Sequence, residues 1–179
     1  MWSKQGEMVW RRFRRVPESA LPRDRRSWVL DTGSLTKRLV KASNGEFSVR
    51  VTFQGWGYPS RDEMKVLNIP VRQKALIREV ELLCFSDVWV TARSVIPNST
   101  LSGAEKQLQF MGNRPLGAFL FKSRTMHRKP LEISMPISKH LKGIYGRRSV
   151  FLLHEKPLLV SELFLPCVFE TRVKDQTPR

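Results

Sequence analysis

Acidic residues are scarce in this chain of 179 residues: 16 Asp and Glu stand against 32 Lys and Arg, for a formal net charge of +16. Such a field draws anions of any kind, whether nucleic acid, an acidic membrane surface or a small polyanionic substrate. Cysteine is nearly absent. Cys84 and Cys167 lie far apart inside apolar segments, which argues against a disulfide framework and for free thiols in a reducing compartment, the cytoplasm. The histidines are His127, His140 and His154, with no HExxH and no Cys/His cluster, so no metal site is expected. GxSxG, a Walker loop and GxGxxG are missing too, which speaks against the familiar hydrolase, kinase and dinucleotide chemistries. No apolar run is long enough to span a bilayer; the longest, Pro157 to Phe169, carries Glu162 and is too short. Residues 1–28 are basic but lack an apolar h-region, so they do not read as a secretory signal. Repeats and low-complexity tracts are lacking, and the length suits one domain with a real core.

What is present centres on Ala92–Phe121. Ser102 followed by Glu105 reads as a capping box, and the helix it opens would stop at Gly112. Pro115 suits the first position of a second helix, leaving the amides of Leu116 and Gly117 free. Free amides at a helix start, backed by the helix dipole, can hold an anion; an ordinary corner with solvated amides has the same pattern. Ser34 offers a similar start for Leu35–Leu39, with Leu35 supplying a free amide. A short helix within Ser19–Leu30, with Pro22 near its start, precedes it.

Strands take over from Glu46. Phe47, Val49, Val51 and Phe53 alternate with polar residues, the period of a half-buried strand. Gly55–Pro59 reads as a turn and Ser60–Val71 as a loop over a site. Ala75–Cys84 and Val88–Ile96 form an antiparallel hairpin. Thr125–Ile133 is an edge or bulged strand because of Pro130. Gly143–Arg148 (GIYGRR) reads as a basic turn. Ser149–Leu153 and Leu158–Leu165 form a last hairpin, and the second of these is apolar on both faces and hence central.

Three charged residues inside strands are candidates for chemistry. Arg78 is either paired with a core acid or facing a ligand. If Ser86 and Asp87 alone form the hairpin loop, Arg93 shares a face with Arg78 and the two hold two carboxylates; one more loop residue puts them on opposite faces. Glu162 is costly to bury unless matched, so it is either half of a structural ion pair or an acid set in a pocket to exchange a proton. At the start of the chain, Arg11, Arg12, Arg14 and Arg15 interleave with Trp10 and Phe13. That pattern is read as a solvated basic edge, a nucleic-acid contact or a headgroup-seeking segment.

The run VIPNSTLSGAEKQLQFMGNRPLGAFLF resembles the chorismate pyruvate-lyase family, which makes 4-hydroxybenzoate for quinone biosynthesis. GSLTKRL, IREVELLC, GIYGRRS and KPLLVSELFLP resemble the same family in the same order, over roughly residues 20 to 168. The resemblance implies a single α+β domain, a six-stranded antiparallel sheet with helices packed on one side and flaps over an internal ligand site. It divides the chain into a basic extension (1–18), the lyase-like domain (19–170) and a tail (171–179). It implies conversion of chorismate to 4-hydroxybenzoate and pyruvate by a cytoplasmic, monomeric enzyme with no metal and no organic cofactor. Position by position, Arg78 falls where the family's arginine grips the ring carboxylate, and Leu35 and Leu116 where backbone amides meet the same group. Glu162 falls on the glutamate that contacts the 4-hydroxyl. Leu35 departs from the expected methionine, a swap that a backbone donor survives. Arg93 is the candidate for the enolpyruvyl carboxylate, given the short loop. Two further expectations are a non-catalytic aromatic-acid sensor of the same fold, and contact of the basic start with an anionic membrane, where a prenyltransferase takes the product. Such sensors normally carry a DNA-binding helix-turn-helix domain, for which residues 1–28 are too short; nucleic acid is not expected as a partner.

Overall fold

The structure, a computed structural model, describes residues 8–17, 20–136 and 141–170. Ser19, His140, residues 1–7 and 18 of the extension, and the tail 171–179 lie outside the described residues. One antiparallel sheet organises the fold. Its long strands are β2 (Phe47–Gly57), β3 (Ala75–Cys84), β4 (Asp87–Pro97), β7 (Tyr145–Leu153) and β8 (Lys156–Phe164), and its short ones β1 (Arg11–Arg12), β5 (Met126–Arg128) and β6 (Glu132–Ser134). The order is β1-β6-β7-β8-β4-β3-β2, with β5 beside β7. The helices are α1 (Arg23–Val29), α2 (Leu35–Ala42), α3 (Arg61–Leu67), α4 (Leu116–Lys122) and α5 (Pro166–Glu170).

The expected α+β class and antiparallel sheet are found, with eight strands in place of six. Two short pieces account for the difference. β5 and β6 both pair with β7, through Arg128↔Phe151 and Glu132↔Arg148, and are parted at Pro130, which cannot donate to the ladder. β1 adds two residues to the outer edge of β6. Residues 8–17 are thereby tied to the sheet: Met8 is buried and the Trp10 ring lies 4.7 Å from the Arg148 guanidinium. β8 is central, between β4 and β7, as its two apolar faces require.

Several local expectations are revised. Ser60–Val71 is not a loop: it opens α3, where Ser60 Oγ accepts from the Glu63 amide at 3.2 Å and Glu63 returns the bond to the Ser60 amide at 2.8 Å. That reciprocal cap satisfies two donors at a helix start. The box expected at Ser102 does not form. Gly103–Phe110 is a 3-10 helix without a side-chain cap, and Glu105 turns to Lys156 Nζ and His154 Nδ1, both at 2.8 Å. A lysine ion pair and an imidazole hydrogen bond outweigh one amide for a carboxylate that is 4% exposed. β2 runs on through Trp56 where a turn was expected, because it pairs with β3 to its end, Gly57 against Ala75. Pro115 caps α4 from outside, so Leu116 is the first helical residue. Cys84 and Cys167 are not joined in a disulfide, and burial pushes both thiols up.

The core lies on both sides of the sheet. Leu35, Leu39, Trp28 and Val29 from α1 and α2 pack on Val49, Val80, Leu82 and Ala92. Leu120 of α4 joins a cluster with Leu108, Met111 and Phe151. On the opposite face, Leu67 of α3 packs on Val95, Val150 and Leu159.

Candidate functional site

A pocket opens between the sheet and the starts of α2 and α4. It is lined by Arg78, Arg128, Arg147 and Glu162, by Leu35, Thr36, Leu116 and Gly117 at the helix starts, and by apolar walls including Val80, Leu120 and Phe151. Ser34 caps α2 by accepting from Lys37 N at 3.4 Å, which leaves the amides of Leu35 and Thr36 without an intrahelical acceptor. α4 starts beside α2: a Cβ on Gly117 would stand 3.1 Å from Thr36 Oγ1. Two helix starts therefore share one wall of the cavity, and their dipoles make that wall attractive to an anion.

Arg78 stands on β3, only 2% exposed. Its guanidinium donates to Gln54 Oε1 and the Gly112 carbonyl, both at 2.8 Å, and to the Arg114 carbonyl at 3.2 Å. All three acceptors are neutral, and among the described residues no carboxylate pairs with it. Burial alone lowers its pKa from the ordinary arginine value. A buried guanidinium held in place by neutral oxygens is an unmatched positive charge, and a ligand carboxylate would relieve it.

Glu162 projects from β8 toward the same cavity. Its Oε2 accepts from Arg147 Nε on the neighbouring β7. Arg147 also donates to the carbonyls of Asp31 and, at 3.3 Å, Trp28. The glutamate is thus half of an ion pair with a core arginine and also lines the pocket. Arg147 was missed in the sequence because Gly143–Arg148 looks like a turn. A countable signal existed: a two-residue turn at His154-Glu155 pairs Leu153 with Lys156 and, counting back, Arg147 with Glu162, as observed. Arg128 on β5 was missed as well. Its Nε donates to Ser149 Oγ at 3.0 Å and a terminal nitrogen to the Thr32 carbonyl at 3.3 Å. Burial chiefly, and then Arg147, lower its pKa against the opposing pull of Glu162 and Asp31. Asp31 itself is matched by Arg38 at 3.1 Å.

Arg93 does not belong to this site. The β3–β4 turn is Phe85-Ser86, both with positive φ as a type I′ turn needs, and Trp89 is then an extra residue on β4. The bulge resets the register by one, so Arg78 faces Ser94 and Arg93 faces Glu79. Arg93 is on the far side of the sheet, bonded to Glu63 at 2.8 Å and Glu79 at 2.5 Å. Two carboxylates already satisfy it there. Leu35, Arg78, Leu116 and Glu162, by contrast, line one cavity. Among the described residues no three His, Cys, Asp or Glu side chains converge as a metal site would require, and no helix is long and apolar enough to cross a membrane.

An α+β domain with an internal pocket, cationic at both ends and apolar between, is built to take an aromatic or cyclic carboxylate. The chain belongs to the chorismate lyase family, whose profile matches residues 7–174. It is 42% identical to a probable chorismate pyruvate-lyase of Methylococcus capsulatus, over 79% of this chain and 94% of that one. It is 33% identical to a probable chorismate pyruvate-lyase of Coxiella burnetii, over 91% and 94%. Among solved structures it is similar in fold to PhnF from Mycobacterium smegmatis, with a TM-score of 0.53 at 13% identity over 76% of this chain and 65% of that one.

Proposed function

We propose that this protein is a chorismate pyruvate-lyase, converting chorismate to 4-hydroxybenzoate and pyruvate for a quinone head group. Family membership supports the reaction, and one observation carries the site: the buried Arg78, without an acid partner among the described residues, beside two helix starts and across an apolar cavity from Glu162. In this reading Arg78 grips the ring carboxylate, aided by the amides of Leu35 and Leu116. Glu162 accepts a hydrogen bond from the 4-hydroxyl. The C3–O bond breaks, C4 loses its hydrogen as a proton, and the departing enolpyruvate takes a proton on its methylene carbon. Atoms balance without water or an oxidant, and the ring gains aromaticity. What the protein supplies is orientation of the ether and positive charge where the leaving group turns anionic. The reaction needs no metal, and the enzyme acts in the cytoplasm as a monomer.

The test is to mix purified protein with chorismate, with chelator present, and quantify both products. Equal yields of 4-hydroxybenzoate and pyruvate are expected. Changing Arg78 to Ala removes a charged hydrogen bond worth about 1.5–3 kcal/mol, so product affinity should fall roughly 10- to 100-fold. Tight 4-hydroxybenzoate binding without turnover would instead make the domain a sensor. The basic start carries a separate expectation of contact with anionic membrane, motivated by Trp10, Arg11 and Phe13, the last of these 38% exposed. Vesicle sedimentation independent of anionic lipid would remove it.

A further inference from the structure

The charges around the pocket do not cancel. Arg147 is matched by Glu162, and Asp31 by Arg38. Arg78 and Arg128 are left, each bonded only to neutral oxygens among the described residues. Two unmatched cations line one cavity, and the ligand of the lyase reading is a dianion. Their placement also fits. Arg78 lies at the helix starts, where the ring carboxylate is held. Arg128 sits over β7, bonded to Ser149 two residues from Arg147, and close enough to Glu162 and Arg147 for its charge to act on both. With Glu162 on the 4-hydroxyl, the next ring atom is C3, which carries the enolpyruvyl ether. The ether's carboxylate therefore falls at the Glu162 end of the cavity, where Arg128 is the cation without an acid. The other arginine candidate, Arg93, points away from the cavity and is bonded to two acids.

Resting on the lyase reading above, we propose that Arg128 binds the carboxylate of the substrate's enolpyruvyl group and so distinguishes substrate from product. The carbonyl of Thr32 and the hydroxyl of Ser149 hold its fork in place before substrate arrives, so little ordering is needed on binding. The product lacks this carboxylate and has nothing for Arg128 to grip. Once pyruvate has left, 4-hydroxybenzoate keeps its carboxylate on Arg78 and its hydroxyl on Glu162, and no group of it meets Arg128.

The contrast supplies the test: steady-state turnover of chorismate and calorimetric binding of 4-hydroxybenzoate, for wild type, Arg128→Gln, Arg128→Lys and Arg78→Ala. Arg128→Gln should lower kcat/KM about 10- to 100-fold, the effect of one lost charged hydrogen bond, with 4-hydroxybenzoate affinity unchanged. Arg78→Ala should weaken both ligands. Arg128→Lys keeps the charge but loses the fork, so it should recover part of the loss. Should the Gln variant not fold, the Lys variant carries the test, with kcat/KM reduced at unchanged product affinity. Two results overturn the assignment: chorismate kcat/KM unaltered in both Arg128 variants, or product affinity falling in step with it. A wild-type protein that releases no pyruvate from chorismate would sink the lyase reading itself, and this inference with it.

Discussion

In the proposed reading, the contact of Glu162 with Arg147 is where chemistry and stability meet. Arg147 is 2% exposed and Glu162 15%, so their pair is largely removed from water. Replacing Glu162 with Gln keeps a hydrogen-bond acceptor for the 4-hydroxyl but deletes the anion. Two effects should follow. If Glu162 takes the C4 proton, turnover falls by about 100-fold or more, the usual loss of a general base. Arg147 also loses its counter-charge, and breaking a buried pair from one side costs about 3–5 kcal/mol; the partial exposure of Glu162 puts the expectation at the lower end. Thermal unfolding and single-turnover kinetics separate the two. A destabilised variant with near-normal turnover would assign Glu162 to holding Arg147 and the hydroxyl and end its role as a base. The residue types here were legible in sequence for Arg78 and Glu162, because a charge within an apolar strand stands out. Arg128 and Arg147 were not, since each sits in a run of basic residues that looks like surface.

The starts of α2 and α4 work as one element of the site. Gly117 is small where Thr36 comes close, and an added methyl would lie 3.1 Å from its hydroxyl, so the two starts must part by a few tenths of an ångström. Gly117→Ala should leave the melting temperature nearly unchanged, because a helix gains up to about 1 kcal/mol from Ala over Gly and this offsets the crowding. In the proposed reading the amides of Leu35 and Leu116 meet one carboxylate, so parting them should drop affinity for 4-hydroxybenzoate several-fold. Calorimetry giving wild-type affinity would show that helix spacing does not set the anion site. The helix at Leu35 was readable from Ser34, since a cap acts within four residues. The Ser102 cap was misread for the opposite reason: Glu105 is claimed by Lys156 and His154, some fifty residues away in the chain.

Across the whole molecule, carboxylates are few and many are engaged by basic groups, which sets the response to acid. Burial raises the Glu105 pKa, but bonds from Lys156 and His154 outweigh it and leave the net shift downward. Burial likewise opposes the Gly33 amide and Arg38 at Asp31, and loses. A folded pKa below the unfolded one gives stability that is full above the unfolded value and is lost as pH falls through the folded one. The ordinary values are 4.5 for Glu105 and 3.8 for Asp31. Denaturant midpoints should therefore be insensitive to these two groups above about pH 5 and decline below that, through and under both values. A midpoint that held steady to pH 3 would contradict the depressed values.

Legible from the order of residues were the alternation of the long strands, the central place of β8, the capped start at Leu35 and the presence of Arg78 and Glu162 within apolar strands. All of these depend on neighbours a few residues away, through side-chain period, caps and local turns. Tertiary structure alone decided which charges meet. A single extra residue at Trp89 shifts the β3–β4 register and sends Arg93 to the other face. The break at Pro130 leaves Arg128 over the cavity, whereas the pairing of Arg147 with Glu162 follows by counting from the two-residue turn at His154-Glu155. A strand's faces alternate residue by residue, so a shift of one position exchanges a ligand-facing group for a solvent- or core-facing one. Such a shift is fixed by packing across the sheet, as in the burial of Trp89 edge-on to Trp28, and not by the residues of the strand itself.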